Sequence, residues 1–476
     1  MIGIQAVWSN PLRVGQAWPI SDGCRRQPDR RLIGTTAVRA AVPRMRSPSR
    51  ADAYGMRSPR PLTTMDTRST GHNILVVNHH GDNRGDEAAL RGLAEGMRRH
   101  LGDIRLTVIH QYSDPGSEVA LQVPVRYLSM RLGVLGFAAL TAYTALRSFR
   151  IDVGRALRGR VGDIVRAYSE ADLVISAPGG PYFGDIYADH EIAHWLFVWL
   201  AHVRGAKVVL YAPSLGPFRN RLLNPIRRIG FSWFDVVTVR ESMSADMLAR
   251  LTNGSLRAAV TADSALQHSP QLAGNIPILQ RNDGALLLAV AVRDPGPANP
   301  RHDQAIVLAI TEACRLHPVD VVFLPQVHGP RHRDEPYLRS LAQRVEHARS
   351  VVVIDDNATS DVHREVVARA DVVMAGRYHP AVFAVASATP VVVIPYEHKA
   401  RGLAEAAGIG SWVIDASDVT AEKLTRLLLD LVAQRAEVRN TLLGTGPLMI
   451  AEAGRTSSLA AEILVGQSIG NESESE

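Results

Sequence analysis

Short apolar runs alternate with amphipathic stretches along the chain from residue 72 onwards. A short apolar run bounded by turn-forming residues is typical of a strand buried on both faces, whereas apolar residues three and four apart predict a helix. The stretch 86–100 shows the helical pattern, with Ala89, Leu90, Leu93 and Met97 on one side. In the first half the predicted strands are 73–78, 104–110, 172–177, 207–212, 235–240 and 257–261, and the predicted helices are 86–100, 132–146, 155–169, 191–204 and 241–251.

A second alternation follows residues 267–283, which mix Pro, Gly, Asn and Gln and are predicted to form a linker. Strand–helix alternation in both halves predicts an α/β fold with two doubly wound, Rossmann-like sheets that face each other across a cleft. Nucleotide-sugar glycosyltransferases of the GT-B type share this architecture. The second-half strands are predicted at 285–292, 320–324, 351–354, 371–374, 391–394 and 412–414, with closing helices at 419–436 and 447–465.

The domains are therefore expected at 71–267 and 284–415, followed by closing helices and an acidic tail over 416–476. Residues 1–70 are rich in Pro, Ser and Arg and lack an apolar period, which predicts a disordered basic extension. If Met56 or Met65 is the true start, N-terminal sequencing of the native protein will show it.

The charge of the chain is concentrated in this first segment. Residues 1–68 contain twelve Arg, no Lys and four Asp, or +8, so the net charge of +6 leaves −2 for the remainder. A near-neutral folded part gives no electrostatic reason to expect nucleic-acid binding. The two cysteines, Cys24 and Cys314, fit no metal-ligand spacing and favour a reducing, cytoplasmic location.

The stretch 132–146 is uncharged and is flanked by Arg131 and Arg147. It is shorter than the roughly 20 apolar residues that a membrane span requires. Two interpretations stay open: a helix packed in the core, or a helix that rests on the inner face of the membrane near a lipid-linked substrate.

The segment Arg377-Tyr378-His379 follows the apolar run of strand 371–374, with Gly376 at the turn and Pro380 in the first turn of a helix. Two side chains that can carry positive charge are thus expected at the carboxyl edge of a sheet, beside the positive end of a helix. Open α/β sheets bind anionic ligands at this edge.

Polar or glycine-rich segments follow the other predicted strands as well. Asp86 and Glu87 follow the first strand, where they can act on a ligand or simply favour a helix start. Gly179 and Gly180 allow a backbone to approach a ligand closely, although a plain tight turn also explains them. Further candidates at strand ends are Arg240, Asp263, Arg293, His328 and Lys399.

Three of these candidates have an ordinary explanation too. Arg240 can bind an anion or pair with a carboxylate, Asp263 can face the cleft or cap a helix, and His328 can be a surface histidine without a role.

The ordered set of motifs resembles the polysaccharide pyruvyl transferase family between about residues 72 and 410. The family's usual Arg-x-His is present as Arg377 and His379, while Pro178 stands where the family commonly has the first of three glycines. The resemblance rests on segments 81–87, 178–185, 214–217, 240–244, 261–263, 377–379 and 396–399.

The resemblance implies transfer of pyruvate from phosphoenolpyruvate to a sugar of a cell-surface polysaccharide or glycolipid, which leaves a ketal and free phosphate. It implies no metal and no cofactor beyond this donor substrate, with the acceptor on the first domain and the donor on the second. Arginine's planar fork suits the carboxylate and phosphate of the donor. Arg377 is the first choice for that contact, followed by Arg240, Arg293 and Lys399.

The resemblance also suggests roles in proton transfer. His379 is expected to act as general acid or as a phosphate partner, and the candidate bases are Asp86, Glu87 and Asp263. Two other functions stay open. One is a nucleotide-sugar glycosyltransferase in which Arg377 and Lys399 hold a diphosphate, and the other is a non-catalytic glycan-binding protein.

Overall fold

The first sheet consists of seven parallel strands in the order β3-β2-β1-β4-β5-β6-β7. The structure, a computed structural model, describes residues 71–111, 118–180, 182–270, 284–296, 300–329, 332–396 and 398–466. Helices cover both faces of the sheet, which explains why its strands are almost continuously apolar. The strands are β1 (His72–His79), β2 (Ile104–His110), β3 (Val125–Ser129), β4 (Leu173–Ser176), β5 (Val208–Leu210), β6 (Val236–Val239) and β7 (Ala259–Val260).

The helices of this half divide between the two faces of the sheet. Leu90 and Leu93 of α1 pack on one face, and Tyr143 of α2 and Trp195 of α4 pack on the other. The helices are α1 (Arg84–Leu101), α2 (Gly133–Ser148), α3 (Gly159–Glu170), α4 (Ala188–Val203), α5 (Asn224–Phe231) and α6 (Ser242–Leu251).

The second sheet is also parallel, with the order β10-β9-β8-β11-β12. Its strands are β8 (Leu286–Ala291), β9 (Val319–Phe323), β10 (Ser350–Val353), β11 (Val372–Ala375) and β12 (Val391–Val393). Its helices are α7 (Pro300–Leu316), α8 (Glu335–Ala342), α9 (Ser360–Arg369), α10 (Tyr378–Ala386) and α11 (His398–Ala406). The predicted α/β fold with two doubly wound sheets is confirmed.

The prediction of two closing helices is wrong, because one helix, α12 (Ala421–Val465), spans both segments. The Gly-Thr-Gly-Pro sequence over 444–447 suggested a break, and Pro447 does lie inside the helix. Gly446 instead provides close packing, since a Cβ there would lie 2.8 Å from the Val385 carbonyl oxygen of α10. The glycine marks a helix contact and not a helix end.

Helix α12 packs against both halves of the protein. Leu428 belongs to the core of the second sheet, while Ala460 belongs to a core on the first. The hydroxyls of Thr456 and Thr261 lie 2.7 Å apart. This helix therefore fastens the two sheets together behind the cleft.

The elements β3 and α5 were not predicted. The prediction of a strand over 412–414 is wrong, because a 3-10 turn (Gly410–Trp412) is followed there by an isolated parallel bridge between Val393 and Val413. The predicted disordered extension, most of the linker and the whole acidic tail lie outside the described residues. Among the residues that the structure describes, no helix is both long and apolar enough to cross a membrane.

The loops that follow β1 and β9 meet directly. Asn83 and Val327 form an antiparallel bridge, the Arg84 N–H donates to the Gln326 carbonyl at 2.9 Å, and the His328 N–H donates to the Asp82 carbonyl at 3.1 Å. Both loops leave the carboxyl ends of parallel strands. The carboxyl edges of the two sheets thus face each other, and the site lies where they meet.

Candidate functional site

Side chains from the carboxyl ends of strands in both sheets converge in one buried group, which we call the cleft cluster. The first half contributes Asp86 at the start of α1, Arg240 after β6 and Asp263 after β7. The second half contributes His379 in α10 and Lys399 in α11. The complete cleft cluster is Asp86, Tyr182, Arg240, Asp263, Tyr378, His379 and Lys399.

Arg240 is the centre of the cleft cluster. Its guanidinium carbon lies 4.5 Å from the ring centroid of Tyr378, and its Nη1 donates to Asp263 Oδ2 at 2.5 Å. Its Nε donates to Ser214 Oγ at 2.9 Å. Arg240 therefore both pairs with a carboxylate and joins strand ends from the two sheets. A buried arginine whose Nε and Nη1 are both hydrogen-bonded helps to position its neighbours.

Asp263 likewise combines both predicted roles. Its Oδ1 accepts from the Ala265 N–H at 2.8 Å and so caps the 3-10 helix Ser264–Gln267, while its Oδ2 faces the cleft. Burial alone would raise the pKa of this carboxyl, but Arg240 and His379 hold it below the ordinary value. Asp263 is thus a fixed negative charge.

Asp86 is buried among groups of both signs. Burial raises the pKa of Asp86 to about 7, against the opposing influence of Arg240 and Lys399. Asp86 also faces the hydroxyl of Tyr182. A carboxyl with a pKa near neutrality can hold a proton and can also accept one. Asp86 is the side chain of the cluster best suited to exchange protons at physiological pH.

The ring of His379 packs directly against the start of α1. A Cβ at Gly85 would lie 1.7 Å from His379 Nδ1, so only glycine leaves room for the imidazole. Burial lowers the pKa of His379 to about 3, and the ring is therefore neutral at pH 7 in the free protein.

The other ring nitrogen of His379 faces the cleft cluster. His379 Nε2 is buried without a hydrogen-bond partner among the described residues, and it lies 3.9 Å from Asp263 Oδ2, beyond hydrogen-bonding distance. A buried polar atom without a partner requires an explanation, and a bound ligand is one. His379 Nε2 is thus a candidate contact for a bound ligand.

The glycine-rich turn after β4 places Tyr182. Gly179 has a φ of +143°, and a Cβ there would lie 2.3 Å from the Tyr182 hydroxyl. The Gly180 carbonyl accepts from the Tyr182 N–H at 2.8 Å. The two predicted glycines therefore shape the wall beside Asp86.

Glu87 lies away from the cleft cluster, in the contact between the two halves. Its carboxylate accepts from Arg84 at 2.8 Å, from Arg91 at 3.1 Å, and from the backbone N–H and hydroxyl of Ser360 at 3.1 and 2.9 Å. Ser360 begins α9, so Glu87 caps a helix of the opposite half. Because both carboxylate oxygens already accept hydrogen bonds from arginines or from Ser360, the geometry favours Asp86 over Glu87 as a proton-transfer group.

His328 lies in the same contact between the two halves. Burial, with Arg84 as the second cause, lowers the pKa of His328 to about 4. Its half-buried position beside Asp82 is not that of an incidental surface histidine.

Arg377 is paired with a carboxylate that the sequence did not reveal. Its Nε donates to Asp334 Oδ2 at 3.1 Å, and its Nη2 donates to Oδ1. Asp334 also accepts from the backbone N–H groups of Gln326 and Val327, at 3.1 and 3.0 Å. Arg377 therefore helps to fix the loop after β9 as well as presenting charge at the cleft.

Arg293 is a second cation at the same sheet edge and, unlike Arg377, it has no carboxylate partner among the described residues. Its guanidinium carbon lies 4.8 Å from the ring centroid of Tyr396, whose hydroxyl lies 2.8 Å from His302 Nε2. Arg293 and Arg377 both act electrostatically on Tyr396, which places the two arginines in one neighbourhood.

Sequence reasoning missed Tyr182, Tyr378, Ser214 and Asp334 as members of the site. The first three lie inside the motifs that drew attention to their neighbours, so their positions were available as a signal. Asp334 follows no predicted strand, and only the folded chain brings it to Arg377.

Comparison with known proteins agrees with this architecture. A UDP-N-acetylglucosamine 2-epimerase from Neisseria meningitidis bound to UDP-N-acetylglucosamine superposes with a TM-score of 0.51 and 11% identity, over 83% of this chain and 100% of that one. A candidate UDP-N-acetylglucosamine 2-epimerase from Listeria monocytogenes gives a TM-score of 0.58 and 13% identity, over 84% of this chain and 98% of that one. These likenesses show a GT-B-like fold.

Sequence comparison is more specific. The amylovoran biosynthesis protein AmsJ of Erwinia amylovora is 25% identical over 367 residues, which cover 72% of this chain and 87% of that protein. The family model described as polysaccharide pyruvyl transferase matches residues 83–398, a range that contains every member of the cleft cluster except Lys399. The chain belongs to the polysaccharide pyruvyl transferase family, and the protein is a transferase enzyme of that family.

Proposed function

We propose that this protein transfers pyruvate from phosphoenolpyruvate to two hydroxyls of a sugar in a cell-surface polysaccharide or glycolipid. The products are a pyruvate ketal and free phosphate. The observation that carries the proposal is the cleft cluster, in which a carboxyl with a pKa of about 7, Asp86, shares a buried site with a neutral imidazole, His379, beside fixed cations.

The donor has a carboxylate and a phosphate, so its pocket needs positive charge. The carboxyl edge of the second sheet supplies Arg293 after β8, Arg377 after β11 and Lys399 in α11. Arginine can bind either group through two parallel hydrogen bonds. Because Arg377 already pairs with Asp334, we assign the principal contact with the donor to Arg293 and a supporting contact to Arg377.

The first step forms a bond between one sugar hydroxyl and the central carbon of the enol. His379 Nε2 takes the proton of that hydroxyl, while protonated Asp86 delivers its proton to the terminal carbon, which becomes a methyl group. The double bond is consumed and the phosphate stays attached. A neutral imidazole and a protonated carboxyl are the starting states that burial favours in this cleft.

The second step replaces the phosphate by a second hydroxyl of the same sugar. Asp86, now a carboxylate, takes the proton of this hydroxyl, and His379, now protonated, gives its proton to the departing phosphate. Both side chains return to their starting states, and the two protons lost by the sugar equal those gained by the methyl group and the phosphate. The fixed charge of Asp263 stabilises the transient imidazolium.

The experiment supplies phosphoenolpyruvate together with a panel of cell-envelope glycans and measures phosphate release and the mass gain of the glycan. Asp86→Asn and His379→Gln are expected to lose at least about a hundredfold in rate. Asp163→Asn and His202→Gln, which change the same residue types away from the cleft, serve as matched controls. Wild-type rates in both cleft variants would overturn the assignment.

Donor identity has a separate test. A ligand that binds the folded protein raises its melting temperature, so phosphoenolpyruvate is compared with UDP-sugars. A shift with UDP-sugars alone would support a nucleotide-sugar glycosyltransferase in place of a pyruvyl transferase.

A further inference from the structure

The solvent-facing side of helix α2 is apolar along its whole length. Leu135, Ala138, Ala142, Leu146 and Phe149 follow one another at steps of three and four residues, and all are exposed. Leu135 is 86% exposed and Phe149 is 78% exposed. The stretch 132–146 contains no charged residue. We call these five residues the apolar stripe.

The opposite side of α2 accounts for its attachment to the protein. Leu140, Tyr143 and Thr144 are the buried residues of this helix, and Tyr143 and Leu140 belong to a core of the first sheet. A helix packed on the core and a helix that rests on a membrane are thus compatible interpretations of 132–146, because one side of α2 is buried and the other is exposed to solvent. A surface helix normally shows polar residues on its outer side, and an apolar outer side indicates a partner.

Positive charge surrounds the apolar stripe. Residues 131–160 contain six arginines and one acid, Asp152, so their net charge is +5. Arg131 lies at the start of α2, and Arg150, Arg155, Arg158 and Arg160 follow its end, all of them exposed. Two copies packed through the stripe about a twofold axis would bring these arginines together. Anionic lipid headgroups are complementary to them.

The length and position of α2 also suit a membrane surface. Sixteen residues span about 24 Å, which is shorter than the bilayer core, so the helix lies in the plane of the surface. Its first residues follow β3 at the carboxyl edge of the first sheet, the edge that carries Asp86 and Arg240.

Other exposed aliphatic side chains lie along that edge. They are Ile186 and Ile192 near the start of α4, and Leu222 and Ile226 near the start of α5.

We propose that the apolar stripe docks on an anionic lipid bilayer, with the aliphatic and aromatic side chains below the headgroups and the surrounding arginines in contact with them. This docking holds the start of α2, at the carboxyl edge of the first sheet, at the membrane surface. The proposal concerns lipid binding alone and does not depend on which donor the enzyme uses.

The test is flotation of the full chain with vesicles of phosphatidylcholine, with and without phosphatidylglycerol. We expect the wild-type protein to bind the anionic vesicles. The double variant Leu135→Ser, Phe149→Ser is expected to bind them on the order of a hundredfold more weakly, because two large apolar side chains no longer enter the lipid. The matched control is Leu443→Ser, Leu448→Ser, which changes two exposed leucines of α12 and leaves binding unchanged.

The serine variants distinguish lipid binding by the apolar stripe from lipid binding by the charged segment 1–68. Residues 1–68 carry twelve arginines that also attract anionic lipid, and the substitutions leave every charge in place. Unchanged flotation of the Leu135, Phe149 variant would overturn the proposal. A dimer in solution that the same variant dissociates, without vesicle binding, would overturn it in favour of a second copy.

One further measurement separates this proposal from the proposed function. Transfer of pyruvate to a water-soluble oligosaccharide is expected at the wild-type rate in the Leu135, Phe149 variant. Absence of transfer in the wild-type protein would refute the proposed reaction and leave the lipid result standing.

Discussion

The substitution Gly85→Ala tests the cleft geometry with a single methyl group. Gly85 lies in the first turn of α1, and its backbone is helical, so alanine is compatible with its conformation. The new Cβ would lie 1.7 Å from His379 Nδ1, whereas an ordinary contact begins at 3.4 Å. The ring or the helix start must therefore move by about 1.7 Å, the difference between these distances.

A displacement of this size has a calculable effect on rate and stability. Misplacement of a reacting group by about 1 Å can cost on the order of a hundredfold in rate, so Gly85→Ala is expected to lose at least that much in kcat/KM. Overpacking typically destabilises a protein by about 1–3 kcal/mol. Steady-state kinetics and thermal unfolding measure the two effects.

A matched control and a double-mutant cycle complete this test. Gly444→Ala in α12 meets no atom within 4 Å and is expected to leave both rate and stability close to the wild-type values or to raise stability slightly. In a His379→Ala background, Gly85→Ala should cost no stability, because the clashing ring is gone. Full activity of the single variant, or an equal cost in the two backgrounds, would refute the packing of His379 against Gly85.

Three further predictions concern the charges of the site. The pKa of Asp86 is about 7 in the folded protein against an ordinary value of 3.8, so its contribution to stability is fully present below pH 3.8 and is lost as the pH rises through 7. Above pH 7, Asp86→Asn should therefore be more stable than the wild-type protein, by up to about 4 kcal/mol in chemical denaturation. Equal stability of the two proteins at pH 8 would contradict the raised pKa. Glu87→Gln should destabilise by about 3 kcal/mol in the same assay, because an amide N–H would face the donors of Ser360 and two arginines, whereas a lower kcat at unchanged stability would restore Glu87 as a base. Arg293→Ala should raise the KM for phosphoenolpyruvate by about tenfold without lowering the melting temperature. Arg377→Ala should lower both the affinity for phosphoenolpyruvate and the melting temperature, because the carboxylate of Asp334 is left buried without its partner. The opposite pattern would make Arg377 the principal contact with the donor and Arg293 the supporting one.

The sequence predicted the fold and the edge at which the site lies because both follow from local patterns. Buried parallel strands are apolar runs, and the residue after each run must lie at the carboxyl edge. Arg240, Asp263 and His379 were found in this way without any knowledge of their contacts. What the pattern cannot contain is the partner across the cleft, since that depends on how two sheets are placed relative to each other.

Glu87 and Asp86 show this limit most clearly. They are adjacent in sequence and were equal candidates for a base. Helix α1 directs one into the cleft cluster and the other to Ser360, 273 positions further along the chain. Arg377 and Asp334 are a second case, because a pair 43 positions apart forms only when the loop after β9 is in place.

The most consequential difference concerns which side chain begins with a proton. The family resemblance led us to expect His379 as general acid or phosphate partner, and Asp86, Glu87 or Asp263 as the base. Burial favours the opposite order of proton transfer, because it disfavours the charged form of either group. It raises the pKa of Asp86 to about 7 and lowers that of His379 to about 3. When one environment shifts the pKa values of two titratable groups in opposite directions, the shifts indicate which group is the acid and which is the base. In the proposed reaction, burial therefore favours Asp86 as the initial proton donor and His379 as the initial proton acceptor, and this order lets both side chains return to their starting states.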